Sequence, residues 1–277
     1  MDEVARYNIA RWQALADADA LFTRPSLDLD PATARALVDP EGLLRTIADR
    51  AVLCLAGGGG RQSVAFALLG ARVTVADLSE AQLTRDRAAA AHYGVHIAAL
   101  QADMRDLAAL PARSFDIVHQ PYAINFVPDA SAVFREVARV LRPGGRYYFH
   151  CANPFFSGIG TRDWNGEGYT LHQPYIAGAE MTYADESWVH AASAGDTAAI
   201  PGPREYRHTL GALVNGLSAR GFVLRHLAEF TDLHPDPTAT PGSWQHLTAI
   251  APPWLAFWSD YRPDLPATPA DGDAAPR

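Results

Sequence analysis

The segment AVLCLAGGGGRQSVAFALLG, residues 51–70, decides the fold. AVLCLA (51–56) is a short unbroken apolar run, the pattern of a strand buried on both faces. Four glycines follow at 57–60, and RQSVAFALLG (61–70) reads as a helix closed by Gly70. Strand, glycine turn and helix in that order are where α/β proteins place an anionic or nucleotide ligand. Glycines admit positive φ and let another group approach the backbone closely. Taken alone, the turn is equally a tight connection without a ligand.

Outward from this segment, strands are predicted at 72–77 (RVTVAD), 95–100, 114–120 (SFDIVHQ), 146–152, 222–230 and 254–261. The intervening helices carry start and stop signals. Ser79 caps a helix that Gly94 closes, and Asp129 caps one that ends before Pro143-Gly144-Gly145. Residues 205–221 read as a further helix with a glycine stop, and 242–250 as a short one. Strands alternating with helices imply parallel pairing through right-handed crossovers, hence an α/β, doubly wound, Rossmann-like sheet. Five segments are expected. Residues 1–49 form an N-terminal helical cap with amphipathic stretches at 3–18 and 32–48, and 50–152 form the ligand-binding core. Residues 153–205 form an aromatic-rich insertion after the fifth strand, with short strands such as 180–189. Residues 206–262 complete the core sheet, and 263–277 form a frayed tail.

Composition narrows the function. The 277 residues are 48% hydrophobic, enough for a sizeable core, and carry a net charge of −8, which argues against nucleic-acid binding. All 23 basic residues are arginines, so Schiff-base and P-loop lysine chemistry are excluded. No apolar stretch reaches ~18 residues, and MDEVARYNIARW lacks the pattern of a signal peptide, so a cytoplasmic protein without membrane association is expected. Cys54 and Cys151 sit in apolar runs and read as buried thiols. No His pair has metal-ligand spacing, so no metal is expected.

Two acids complete the glycine turn. Asp77 ends the second strand, where a carboxylate accepts both hydroxyls of a ribose or caps the next helix. Asp103 follows the third strand, placed to take an adenine amino group or to cap a turn. Together with the turn they point to an adenosine ligand. The dinucleotide pattern G-x-G-x-x-G fails, because its sixth place falls on Gln62 or Ser63.

VLCLAGGGGRQS, VTVADLSEAQL, QADMRDL, SFDIVHQPYAINFVPD and VFREVARVLRPGG, over about residues 50–150, resemble the ordered motifs of class I S-adenosylmethionine-dependent methyltransferases of the type-11 or UbiE-like group. The resemblance implies a seven-stranded sheet with a reversed last strand, here 254–261. It implies S-adenosyl-L-methionine as cofactor, S-adenosyl-L-homocysteine as product and a small-molecule acceptor. N-terminal helices in such enzymes sometimes pack between subunits, so a homodimer is compatible with it. It further implies that Ala56, Gly57, Gly58 and Gly60 pass under the methionine part, and that Asp77 holds the ribose while Leu78 packs on the adenine. Asp103 and Met104 would meet the adenine, and His119 and Gln120 would edge the transferring methyl. Two positions depart from the pattern: Cys54 replaces an acidic residue and Ala56 the first glycine.

For chemistry, His119 is the candidate base at the end of the fourth strand, with Tyr122 and Asn125 just beyond to orient the acceptor. Trp164, Tyr169, Tyr175 and Trp188 of the insertion, with Tyr7 and Trp12 of the first helix, are the candidate acceptor-binding aromatics. About half of the insertion's aromatics are expected to face the ligand, the rest fastening the insertion to the sheet. The leading expectation is methyl transfer to an oxygen, nitrogen or carbon nucleophile of a small, aromatic or planar metabolite. The competing readings are an NAD(P)-dependent oxidoreductase and a cofactor-binding protein of this fold without methyl transfer.

Overall fold

The structure is a computed structural model and describes residues 1–181, 200–230 and 234–265. Its strands in chain order are β1 (Ala51–Leu55), β2 (Arg72–Asp77), β3 (Ile97–Gln101), β4 (Phe115–Gln120), β5 (Leu141–Ala152), β6 (Glu180–Met181), β7 (Glu205–Tyr206), β8 (Phe222–Phe230) and β9 (Trp254–Tyr261). The helices are α1 (Glu3–Asp17), α2 (Pro31–Val38), α3 (Gln62–Leu68), α4 (Glu80–Tyr93), α5 (Ala130–Val140), α6 (Leu210–Ser218) and α7 (Trp244–Ile250).

Seven strands form one sheet in the order β3-β2-β1-β4-β5-β9-β8. The first five pair in parallel, and β9 runs antiparallel between β5 and β8. This is a Rossmann-like sheet with the reversed strand expected at 254–261. The strand order reverses between β1 and β4, and the connections leaving their carboxyl ends diverge there to open a crevice. Leu53, Leu55, Val118, Phe134 and Phe149 pack on one face of the sheet; Val52, Cys54, Phe66, Val75 and Trp258 pack on the other.

Local chemistry sets the boundaries. Ser79 caps α4 through its hydroxyl, and Gly94 ends it at φ +63°. Asp129 caps α5, whose inward side carries Val133, Phe134, Val137 and Val140. Two helices are shorter than their sequence pattern. The stretch at 32–48 is helical only to Val38, because the buried Asp39 turns its carboxylate onto the amides of Leu43 (2.6 Å) and Leu44 (3.0 Å). Residues 205–221 are helical only from Leu210, since Glu205 and Tyr206 instead pair with β6 as a short strand. Of the strand expected at 180–189, Glu180 and Met181 are a strand and the remainder lies outside the described residues.

Candidate active site

A cavity of about 260 Å³ opens at the sheet's switch point. Its floor comes from the turns after four successive strands: Ala56 and Gly58 after β1, Asp77 and Leu78 after β2, Asp103–Arg105 after β3, and Pro121–Ala123 after β4. Asn8 and Trp12 of α1, with Phe22, form the roof.

The glycine turn is built differently from the expectation. Gly57 and Gly60 do not line the cavity. A Cβ on Gly58 would come within 2.6 Å of Gln82 Cβ and 2.8 Å of Asp77 Oδ2. A Cβ on Gly60, at φ +75°, would come within 2.7 Å of Ala89 Cβ and 3.0 Å of Pro25 Cβ. The close body that forbids side chains at these two positions is therefore the protein itself.

Three of the turn's amides are also spent internally. Gly58 donates to Asp77 Oδ2 at 2.9 Å. Gly59 and Gly60 donate to the two oxygens of Asp86 at 3.0 and 3.1 Å, and the Ser63 hydroxyl donates to Asp86 as well. Asp86 is fully buried; burial raises its pKa to about 7, and the hydrogen bond from Ser63 opposes that shift. Burial also raises the pKa of Asp77, against the amides of Ser79 and Gly58. A phosphate would need these amides as donors and would meet two acids in their place. The turn suits a ligand without phosphates.

Arg105 governs the adjoining corner. Its guanidinium takes both oxygens of Asp103, at 3.0 Å from Nε to Oδ1 and 2.6 Å from Nη2 to Oδ2. Its Nη1 reaches Asp2 Oδ2 at 2.6 Å. Asp2 caps α1 by accepting from Ala5, and Arg105 with that amide lowers its pKa to about 2. The roof is thus tied to the carboxylate on the floor. Asn8 adds a second tie, donating to the Phe126 carbonyl (3.2 Å) and accepting from the Arg204 amide (2.8 Å).

Of the residues singled out in the sequence, Ala56, Gly58, Asp77, Leu78, Asp103, Met104, Trp12 and Tyr122 line this cavity. Several others do not. His119 lies on the opposite face of the sheet from Gln120, stacked on Tyr148 with ring centroids 4.4 Å apart and edge-on to Phe66 at 5.2 Å. Burial, reinforced by His150, lowers its pKa to about 3, and its Nδ1 has no hydrogen-bond partner among the described residues. Gln120 is buried behind the floor, donating to Met104 Sδ (3.1 Å) and accepting from the Tyr147 hydroxyl (2.5 Å). Asn125 spends its amide on backbone, donating to the Tyr206 carbonyl and accepting from Ala152. Tyr7 lies outside the cavity beneath the Arg204 guanidinium, 4.8 Å from its ring centroid.

The insertion's described aromatics pack mainly on one another. Trp164 and Tyr169 meet each other and His246, and the Tyr169 hydroxyl contacts His246 Nδ1 at 3.0 Å. Tyr175 stacks on Phe155 at 4.9 Å. None of these lines the cavity, so they fasten the insertion instead of facing it. Trp188 lies outside the described residues.

Sequence reading passed over Gln82, Asp86 and Arg105. The first two were legible in α4, whose buried positions 82, 83, 86, 89 and 90 form one helical stripe. Polar residues on such a stripe face something that needs them. Gln82 lines the cavity, is only 4% exposed, and its Oε1 lacks a hydrogen-bond partner among the described residues.

Strand order, reversed β9, a crevice at the switch point and acids after β2 and β3 agree with the fold that the sequence resemblance implies. Residues 53–149 match the family model described as a methyltransferase domain. An uncharacterized methyltransferase of Bacillus subtilis, YbaJ, is 42% identical over 103 residues, 37% of this chain and 40% of that protein. A ubiquinone biosynthesis O-methyltransferase of Pseudomonas savastanoi pv. phaseolicola is 33% identical over 157 residues, 55% of this chain and 66% of that protein. The chain thus spans less than two thirds of either relative. An S-adenosylmethionine-dependent methyltransferase from Mesorhizobium loti superposes with a TM-score of 0.60 at 24% identity, covering 85% of this chain and all of that one. Geranyl diphosphate C-methyltransferase from Streptomyces coelicolor superposes at 0.53 and 17% identity, covering 83% and 78% of the two chains. These two likenesses concern the fold.

Proposed function

We propose that the protein is an enzyme that transfers a methyl group from S-adenosylmethionine to a nucleophile on a small molecule. One observation carries the reading: Asp77, Asp103 and Gln82, whose Oε1 has no hydrogen-bond partner among the described residues, border one cavity, and the glycine turn beside it spends the amides of Gly58, Gly59 and Gly60 on Asp77 and Asp86. An adenosine bearing a sulfonium side chain fits those donor and acceptor requirements, and a dinucleotide does not.

In this reading Asp77 and Gln82 accept from the ribose hydroxyls. Leu78 and Met104 pack on the adenine, Asp103 takes its amino group, and Ala56 and Gly58 border the methionine part. The cofactor supplies an already activated methyl group, so the protein's work is to orient the acceptor and exclude water. Positioning of that kind is worth on the order of 7–11 kcal/mol. Trp12, Phe22 and Phe126 supply apolar walls, with Trp12 edge-on to the other two rings at 5.9 and 5.5 Å. Tyr122 is the polar side chain on the post-β4 side of the cavity and takes the role the sequence suggested for His119. The Pseudomonas relatives are named for O-methylation, which favours oxygen as the atom methylated. No helix among the described residues is long and apolar enough to cross a membrane.

Thermal unfolding with S-adenosylhomocysteine or NAD tests the reading. At about 100 times its dissociation constant a ligand adds ~2.7 kcal/mol of stability. Stabilisation by S-adenosylhomocysteine and not by NAD is expected; the reverse result overturns the assignment.

A further inference from the structure

Asp86 is an acid that the methyl-transfer reading leaves unused. It projects from α4 onto the glycine turn, is fully buried, and accepts from Gly59, Gly60 and Ser63. Asp77 holds the same turn through Gly58 and accepts from the Ser79 amide as well. Two carboxylates therefore grip consecutive amides of one turn. Their donors are neutral, and among the described residues no ion pair compensates either acid. Asp103 differs, because Arg105 takes both its oxygens. The other groups around Asp86 bring no positive charge. On β1, Cys54 is a buried thiol that burial and Asp86 keep protonated. On α4 itself, Arg85 spends its guanidinium on the Thr23 and Ala16 carbonyls and on Asp19, and in the segment packed on Gly60 Arg24 pairs with Asp19. Arg61 is exposed at the cavity and pairs with neither acid among the described residues.

Both acids act on the cavity. Asp77 lines it directly. The amides that Asp86 holds follow on Gly58, which also lines it, and residues 57–60 carry no side chains to stand between. One helical turn before Asp86, Gln82 is 4% exposed and lines the same space with its Oε1 unpartnered among the described residues. Buried negative charge without a partner is costly, and a cation across the turn relieves it. Building on the methyl-transfer reading, we infer that Asp86 and Asp77 make this cavity selective for positive charge: it favours the sulfonium cofactor over its neutral thioether product, and Asp86 gives up a proton to solvent as the cation binds. Burial and the charge of Asp77 hold the Asp86 pKa near 7, against the hydrogen bond from Ser63, so at neutral pH the group has a proton to give. Methyl transfer removes the positive charge from sulfur, and Asp86 then takes a proton back from water.

S-adenosylmethionine and S-adenosylhomocysteine, which differ by the methyl group and its charge, are the probes. Calorimetric titration of the full chain in two buffers of different protonation enthalpy reads affinity and proton release together. At pH 7 S-adenosylmethionine should release a fraction of a proton and S-adenosylhomocysteine far less. The wild-type preference for the sulfonium should rise about tenfold between pH 5.5 and 8, the factor that a mutual shift of one pKa unit carries. Asp86→Asn should lose most of that rise and of the proton release. The cofactor's own amine titrates against either protein, so the comparison isolates the carboxylate. Ser63→Ala keeps the acid but removes a donor that holds its pKa down, and should move the midpoint of the rise to higher pH. A merely structural Asp86 would weaken both compounds equally at every pH. A preference that does not rise with pH in the wild type overturns the inference, as does an unchanged rise in folded Asp86→Asn. If Asp86→Asn does not fold, an unmoved midpoint in Ser63→Ala overturns it. Failure of both compounds to bind would instead count against the methyl-transfer reading.

Discussion

Asp86 and Gly60 lie 26 residues apart, yet Asp86 Oδ1 accepts the Gly60 amide at 3.1 Å while its other oxygen accepts Gly59. One carboxylate from α4 thereby sets the course of the glycine turn from behind. Ligand and turn need not touch at those glycines for the turn to shape the site.

That arrangement has a pH signature. Burial raises the Asp86 pKa from 3.8 to about 7, so the folded protein retains a proton that the unfolded chain releases at ordinary carboxylate values. The stability contributed by this group is complete below about pH 4, declines as pH rises toward 7, and is level above. Asp86→Asn cannot titrate. Urea unfolding between pH 4 and 8 should show a flatter dependence in the variant. Some slope remains, because the Asp77 pKa is raised in the same direction. Equal slopes in both proteins would contradict the assignment.

Glycine substitutions separate backbone strain from crowding. Gly94 has φ +63° with open space around its missing side chain, so Gly94→Ala should cost only the left-handed penalty of ~1–2 kcal/mol. Gly60→Ala adds a collision with Ala89, and overpacking of that kind costs a further ~1–3 kcal/mol. Chemical denaturation should rank Gly60→Ala well below Gly94→Ala in stability.

The link from Arg105 to Asp2 holds the amino end of α1. Arg105→Ala should speed amide hydrogen exchange within Glu3–Asp17 while leaving β1 and β4 protected. It should also erase an acid-side effect. With its pKa lowered to about 2, Asp2 contributes stability that is present above about pH 4 and lost as pH falls toward 2. Identical exchange in the two proteins would show that α1 is held by its other contacts alone.

The sheet was legible because its signals are local: unbroken apolar strands, Ser79 and Asp129 caps, and Gly94 as a stop. The acids at the strand ends were legible for the same reason. The contacts that close the cavity were not, because they join distant segments. Arg105 meets Asp2 across 103 residues, Asn8 meets Arg204 across 196, and Tyr122 meets Glu205 across 83. No periodicity encodes such pairs. The aromatics at 155–175 could be recognised as clustered, but their composition suits a small packed core and a ligand wall alike. His119 is a different case. Side chains alternate along a strand, so His119 and Gln120 must lie on opposite faces and could not both edge one ligand from the same side. That conflict was present in the strand's period of two and needed no coordinates.

His119 therefore furnishes a test of the site's geometry. Its ring is held in the neutral form between Phe66 and Tyr148, with the pKa lowered from 6.5 to about 3 by burial and by the neighbouring His150. A depressed histidine favours folding while it is neutral, so this contribution is present above about pH 6.5 and is lost as pH falls toward 3. His119→Phe keeps an aromatic ring against Tyr148 and removes the titrating group. Unfolding curves from pH 7.5 down to 4 should fall less steeply for the variant than for the parent. A residual slope from His150, whose pKa burial lowers to about 4, will remain in both. At pH 7.5 S-adenosylhomocysteine should bind the two proteins within about twofold, since His119 does not border the cavity. A much larger loss of binding in a folded His119→Phe protein would mean that the ring reaches the ligand after all, and would restore His119 as the candidate base.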